Sequence, residues 1–454
     1  MVDNLDSDLK FTGKVVVQTH GCKLNQSDSD TIARQFLQAG YRPIESIADA
    51  DVYVLNTCTV TANADAKARQ TLRAARRINP TAIIVATGCY PQRAAEDLKN
   101  LDVVSLVIDN TSKQDLVTQT VKFHQENSSL KSERAEQSSS SSVTNLLAIE
   151  TSGVYRTRAM IKIQEGCNQV CAYCIVPKVR GRERSIPPET LIEQIRDRHE
   201  QGYQEIVLTG TQLGSYGFDL FGVNLPILLE HILSSTAIPR IRVSSLQPQE
   251  LTQELLSLWG DPRLCPHFHM PLQSGSDQIL HYMRRRYTTK QFSESVNLIR
   301  SQIKNPGITT DLIVGFPKED EYSFNQTLEF IQSTQFSDIH IFPYSRRPGT
   351  TAYHYENSIE PQTKKARANL VLKIAQHQHN DFRQRQIGTT RPVLWETTTD
   401  EPGATTWSGL TDNYIRIYND SQLDLKNQIT NTNLVKLGSR GMIGELDQTT
   451  NIAA

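Results

Sequence analysis

The chain has no run of about eighteen apolar residues, the length that a membrane-crossing helix needs. Its start, MVDNLDSDLK, is acidic and lacks the apolar core of a secretory signal. Both absences predict a soluble, cytoplasmic protein with no membrane partner. An excess of either charge is also missing, since 48 Lys and Arg stand against 49 Asp and Glu. That excludes a polybasic, tail-like binder and leaves room for local basic patches only. No Ser/His/Asp constellation or paired-carboxylate arrangement offers itself for acyl transfer or acid–base work. Cysteine is scarce and odd in number, seven in 454 residues. Without a secretion signal, disulfides are the weaker reading and metal binding or catalysis the stronger.

A chain of 454 residues exceeds one ordinary core, so several domains are expected. Composition breaks sharply once, at FHQENSSLKSERAEQSSSSSVTNL, and residues 123–146 read as a flexible Ser-rich linker. Before it, over residues 12–122, the β-branched runs KVVVQTH, ADVYVLN and AIIVATG alternate with helical stretches, which predicts a parallel α/β sheet domain. After it, over residues 147–388, come RAMIKIQEG, EIVLTG, RIRVSS, FHMPLQS, TTDLIVGF and DIHIFPYS, separated by helical runs. That order predicts a partial parallel (β/α)6 barrel with its active site at the carboxyl ends of the strands. Residues 389–454 switch to short β runs between turns, a small antiparallel β-barrel. The fold class is therefore α/β with an appended β domain.

Six of the seven cysteines form two trios. Cys22, Cys58 and Cys89 each follow one of the first three strands, at the edge where open parallel sheets gather their ligands. They are read as a three-thiolate metal site, the alternative being buried small hydrophobes. Cys167, Cys171 and Cys174, in EGCNQVCAYCIVP, follow the first barrel strand with C-x3-C-x2-C spacing. A structural zinc site closes with four protein ligands, and no second pair completes this one. Three thiolates around a four-iron cluster leave one iron free for a substrate such as S-adenosylmethionine.

The C-x3-C-x2-C loop, with Tyr173 before its last cysteine, resembles the radical S-adenosylmethionine superfamily. Together with THGCKLNQSDSD, NTCTVTANADAKARQ and ATGCYPQ it resembles the methylthiotransferase family over nearly the whole chain. The resemblance implies two 4Fe-4S clusters, a sulfur-delivering one on Cys22, Cys58 and Cys89 and a radical-generating one on Cys167, Cys171 and Cys174. It implies S-adenosylmethionine as both radical source and methyl donor. Within the family the first two loops look most like the branch that thiomethylates C2 of N6-threonylcarbamoyladenosine at position 37, in the tRNA anticodon loop. Branches acting on N6-isopentenyladenosine or on a ribosomal-protein aspartate are the alternatives, and a non-catalytic, zinc-containing RNA-binding protein is the rival of another class. A reducing partner such as flavodoxin or ferredoxin is implied too, while the sulfur donor stays open. The C-terminal β domain resembles the TRAM domain of this family.

Further contacts with S-adenosylmethionine are expected from the barrel loops: Tyr173, Gly210, Gly214, Ser245 and Asp311, with Ser244 and Gly315 beside them. Each is equally readable as a turn glycine or a capping polar group. Basic clusters at KVRGRER, at Arg284–Arg286, at Arg346 and Arg347, and on the helical stretches KARQTLRAARR and KKARANLVLK are candidate RNA contacts or plain solvated faces. The C-terminal segment opposes that role, because Arg391, Arg416, Lys426, Lys436 and Arg440 face eight acids there. It either grips RNA through a local face or braces the barrel. Cys265 reads as a buried thiol, and His267 and His269, two apart on one strand, as barrel packing or substrate contacts, with metal ligation as the lesser alternative.

Overall fold

A computed structural model describes residues 12–132, 157–356, 358–401 and 404–447. The chain divides into two compact units, residues 1–155 with 178–180, and residues 156–177 with 181–454. No helix among the described residues is long and apolar enough to cross a membrane.

The first unit is built on a five-stranded, all-parallel sheet in the order β2-β1-β3-β4-β5: β1 (Gly13–Thr19), β2 (Tyr41–Pro43), β3 (Val52–Thr57), β4 (Ile83–Gly88) and β5 (Leu106–Ile108). Successive side chains of a strand point to opposite faces. Val15, Val17, Val54 and Val85 accordingly fill one core, and Val16, Tyr53, Leu55 and Ile84 the other. Burial on both faces is why these strands read as continuous apolar runs. β2 and β5 are three residues each, too short to show a period. In this strand order the crossovers diverge between β1 and β3, which opens a crevice beyond their carboxyl ends.

One boundary is corrected. The helix Leu116–Ser132 runs through the first part of the segment read as a linker from Phe123. Leu116, Val117, Val121 and Phe123 pack on the sheet, and His124 meets the Tyr41 hydroxyl at 2.6 Å. The i, i+1, i+5 apolar spacing was hidden by the serines that follow. The serine run itself lies outside the described residues.

The second unit holds six parallel strands in two sheets: β6 (Arg158–Lys162), β9 (Glu205–Thr209) and β10 (Arg240–Val243), then β11 (His267–His269), β12 (Gly307–Val314) and β13 (Asp338–Pro343). Single bridges Ile241↔Leu264 and Ser245↔His269 join them, so the wall runs β6-β9-β10-β11-β12-β13 as the sequence predicts. A short hairpin, β7 (Gln164–Glu165) with β8 (Arg184–Ser185), flanks the loop after β6. Helices such as Pro188–Glu200, Leu225–Ser235 and Thr289–Gln302 cover the outer face of the wall.

After the helix Pro361–Gln384, strands β14 (Thr390–Glu401), β15 (Ala404–Thr411), β16 (Arg416–Asp420), β17 (Ile429–Leu437) and β18 (Met442–Leu446) close a barrel around Trp395, Trp407, Ile417 and Met442. It is not wholly antiparallel, because β16 and β18 pair in parallel to close it. Its turn Thr411–Ile415 seats on the amino ends of the β9–β12 strands. Arg240 and Arg242 donate to the carbonyls of Leu410, Thr411 and Asp412, at 2.9–3.3 Å, while both bind the buried Glu205 carboxylate at 2.8 and 3.0 Å. Tyr414 stacks on His267 with ring centroids 4.2 Å apart. Of the two roles open to this domain, the described contacts include the bracing one.

Candidate active site

Cys22 directly precedes the helix Lys23–Gln38, Cys58 directly follows β3, and Cys89 opens the helix Cys89–Lys99 after β4. Two of the three thiols thus sit at helix N-termini, where exposed N–H groups favour a thiolate. The turn before Cys89 needs glycine: Gly88 has φ +99° and a Cβ there would lie 2.5 Å from Asn56 Oδ1 and the Thr57 carbonyl. Asn25 and Asn56 tie the loops together, Asn25 Nδ2 donating to the His20 and Thr57 carbonyls (2.9 and 3.1 Å) and Asn56 Nδ2 to the Asn25 carbonyl and Ser29 Oγ (2.9 and 3.0 Å). Burial, with Cys22 and Cys89 close by, pushes the Cys58 thiol up to about 12. Asp28 draws in Lys113 at 3.0 Å and Arg180 at 3.2 Å, all within this unit.

In the second unit the loop carrying Cys167, Cys171 and Cys174 is held at several points. Cys167 N donates to the Gly181 carbonyl (3.1 Å), Ala172 N to Met283 (2.9 Å), and Ala352 N to Ala172 (2.7 Å). Gly166 has φ +77°, and a Cβ there would stand 1.9 Å from the Arg182 carbonyl oxygen. Burial pushes the thiols of Cys167 and Cys174 to about 11 and about 12. Arg285 Nη1 donates to Cys171 Sγ at 3.4 Å, and its guanidinium lies 4.7 Å over the Tyr287 ring. Thiols buried this way ionise only if a cation compensates them, which fits metal ligation.

The kind of metal is constrained by spacing. Among the described residues, His269, Asp311 and His340 form the one group with three ligand atoms within 4.8 Å of one another, and neither cysteine trio does so. Tetrahedral Zn–S bonds of about 2.3 Å bring sulfurs within about 4 Å. Among the described residues neither trio brings the fourth protein ligand that closes a structural zinc site, and three thiolates suit a cluster with one open iron. In the histidine group each Asp311 oxygen already takes a ring nitrogen, His269 Nε2 at 3.2 Å and His340 Nδ1 at 3.1 Å.

The remaining expected contacts line the carboxyl ends of the strands. Tyr173 packs with Ala172, Met283 and Tyr344. A Cβ on Gly210 would lie 3.0 Å from Gln164 O and Oε1, and the room at Gly214 is taken by Glu250, whose Cδ would be 2.0 Å away. Ser245 is half-buried beside His269. Gly315 has φ +70° and faces the Lys364 stem. Four buried polar atoms on this face find no partner among the described residues: Thr211 Oγ1, Ser244 Oγ, Arg285 Nη2 and Tyr344 Oη. Buried polar atoms are ordinarily paired, so these fit a polar ligand such as S-adenosylmethionine. Cys265 is buried, as expected.

Each basic cluster proves mixed. Arg180 turns onto Asp28, Arg285 onto Cys171, Arg367 onto Glu319 at 2.6 Å, and Arg76 onto the carbonyls of Ala82 and Val103. Lys178, Arg182, Arg184, Arg284 and Arg286 stay exposed. Arg285 and Asn25 are the site residues that sequence reasoning missed. Asn25 stood inside a quoted motif without a role, and Arg285 inside a basic cluster read for RNA or solvent.

Residues 14–109 match the family described as "Uncharacterized protein family UPF0004", and residues 161–331 match the "Radical SAM superfamily". The threonylcarbamoyladenosine tRNA methylthiotransferase MtaB of Aquifex aeolicus is 39% identical over 378 residues, 83% of this chain and 91% of that protein. The protein of the same name from Bacillus subtilis is 33% identical over 93% of this chain and 94% of its own. The tRNA-2-methylthio-N(6)-dimethylallyladenosine synthase of Syntrophobacter fumaroxidans is 33% identical over 95% of each. Among solved structures, the radical S-adenosylmethionine methyltransferase TsrM from Kitasatospora setae, with cobalamin and a 4Fe-4S cluster bound, aligns with a TM-score of 0.53 at 13% identity, over 75% of this chain and 76% of that one. That likeness speaks for the fold alone.

Proposed function

The chain belongs to the radical S-adenosylmethionine methylthiotransferases that modify tRNA, and from that membership we propose that it inserts sulfur and a methyl group at C2 of N6-threonylcarbamoyladenosine in the anticodon loop. Membership implies S-adenosylmethionine and one 4Fe-4S cluster. The proposal adds the assignment of that cluster to Cys167, Cys171 and Cys174, and of a second, sulfur-delivering one to Cys22, Cys58 and Cys89. The observation that carries it is the pair of three-thiol sites, each following parallel strands at their ligand-binding edge. The threonylcarbamoyl substrate follows the names of the Aquifex and Bacillus relatives. Dimethylallyladenosine is the second reading, favoured by the Syntrophobacter relative.

When bound, the cluster and S-adenosylmethionine supply a carbon-centred radical, which an unactivated aromatic C–H requires because acid–base chemistry cannot ionise it near neutral pH. The residues around the site have simpler tasks. Gly166 and the loop's backbone bonds set the spacing of Cys167, Cys171 and Cys174. Arg285 balances negative charge gathered at Cys171. Tyr173, Ala172 and Phe316 keep water from the buried side of the loop. Thr211, Ser244 and Tyr344 offer free hydroxyls to the polar ends of a nucleoside or an amino acid. Electrons come from a small redox protein such as flavodoxin or ferredoxin, and the work is done in the cytoplasm.

Mass spectrometry of digested tRNA from a strain lacking the gene tests the reading: the 2-methylthio form of N6-threonylcarbamoyladenosine is expected to vanish and to return with the gene. Loss of the 2-methylthio dimethylallyl nucleoside instead establishes the second reading. Anaerobic protein should carry about eight irons, and about four when Cys22, Cys58 and Cys89 are all changed to Ala. Colourless protein with stoichiometric zinc defeats both assignments.

A further inference from the structure

The loop between β9 and the helix Leu225–Ser235 carries two aromatic rings that no described residue of the unit covers. Phe218 is 69% exposed and Phe221 fully so. Single exposed apolar side chains are common, but two aromatic rings on one short loop make a patch. This loop is not loose. Tyr216 is buried and its hydroxyl donates to the Ile186 carbonyl at 2.7 Å. Gly217 N donates to Ser185 Oγ at 3.0 Å, and Ser185 N donates to the Asp219 carboxylate at 3.1 and 3.2 Å. Gly217 has φ +86°, and a Cβ on it would stand 2.1 Å from the Val223 carbonyl oxygen, so the two limbs of the loop are in contact. At its start, Gln164 Oε1 accepts from Thr211 N and Gln212 N, both at 3.0 Å. The chain is thus fastened at its start and its middle to the hairpin that bears the Cys167 loop. The backbone holds the rings out, where folding gains nothing from them.

We propose that Phe218 and Phe221 form a stacking platform for splayed nucleobases of a single-stranded RNA loop, set beside the radical site by Ser185 and Gln164. Charge decides the occupant. Arg184 is the neighbour of Ser185, the residue that anchors Asp219; it pairs with Glu165 at 2.6 Å, yet its side chain stays 68% exposed, and Arg182, two positions earlier, is exposed as well. Aromatic faces next to guanidinium groups suit unstacked bases joined by phosphates. A protein partner would call for a broader apolar surface than two rings flanked by Arg184 and Asp219. The platform rests on the tRNA reading above and adds to it a place where the bases beside the target are held.

The test uses the full-length, cluster-loaded enzyme with Phe218 and Phe221 both changed to Ala, to Leu or to Tyr. Binding of a fluorescent anticodon stem-loop is followed by anisotropy, and RNA-independent cleavage of S-adenosylmethionine checks that the site is intact. Both the Ala and the Leu pairs are expected to weaken RNA binding about tenfold or more, with the cleavage rate kept, while the Tyr pair binds as wild type does. Unchanged binding in the Ala pair overturns the platform, and so does a Leu pair that binds normally, since that marks plain apolar contact. Loss of reduction by flavodoxin with RNA binding intact identifies a protein dock and also overturns it. If wild type modifies tRNA while the Ala pair binds RNA normally, the platform alone fails. If wild type modifies no tRNA, the reading beneath it fails.

Discussion

Replacing Glu205 with Gln should destabilise the second unit by about 3–4 kcal/mol, and the size can be reached in two ways. Glu205 is fully buried, and Arg242 and Arg240 both bind its carboxylate, with Arg158 nearby. Removing one partner of such a group leaves buried guanidinium charge uncompensated, which costs about 3–5 kcal/mol. Independently, burial alone would raise the Glu205 carboxyl, but Arg242, Arg240 and Arg158 hold it at about 2 instead of the ordinary 4.5. That difference corresponds to about 3 kcal/mol of folding free energy. A group held low when folded contributes fully above its unfolded value, 4.5, and loses that contribution as the pH falls toward about 2. The three tryptophans, Trp259, Trp395 and Trp407, all lie in the second unit, so their fluorescence reports its unfolding alone. With a urea slope of roughly 3 kcal/mol per M, the midpoint should drop by about 1 M at neutral pH. The deficit should shrink between about pH 5 and about pH 3 as wild type loses the same contribution. A variant that unfolds with wild type at neutral pH, or a deficit indifferent to acid, refutes the network as a source of stability.

Three other predictions follow from single contacts. Gly166→Ala forces a Cβ against the Arg182 carbonyl oxygen, 1.9 Å away at φ +77°, so the purified protein should carry about half the wild-type iron in a colorimetric assay. Arg285→Met takes a cation from 3.4 Å beside Cys171 Sγ and should lower the potential of the cluster proposed there by tens of mV, roughly, in a redox titration followed by electron paramagnetic resonance, with Arg285→Lys falling between. Burial holds the Glu250 carboxyl at about 7, above its ordinary 4.5. A group raised on folding stabilises most when protonated, so wild-type stability should fall as the pH climbs from 4.5 toward about 7, and urea midpoints of Glu250→Gln should lack that slope.

Much of the site was legible because its signals are local. A strand that ends in a turn cysteine reveals both the element and a candidate ligand within a few residues, and the three-residue and two-residue gaps of the Cys167 loop lie in one stretch. The linker boundary was misread for an equally local reason: five consecutive serines at 138–142 outweighed a helix whose packed apolar residues end at Phe123. β2 and β5 escaped because three residues cannot display a period.

What the amino-acid order determined alone was the identity of the six thiols, the alternation of strand and helix around them, and hence the two kinds of domain. Tertiary structure decided which charges those thiols meet. Arg285 lies 114 positions from Cys171, and Arg242 lies 37 from Glu205 yet 170 from the Asp412 carbonyl it also binds. Such pairs are invisible in a linear reading because nothing in the chemistry of an arginine tells whether it will face water, a phosphate or a buried anion. Only the register of the strands and the seat of the last barrel settle that, by placing one guanidinium where water cannot reach and leaving its neighbours outside.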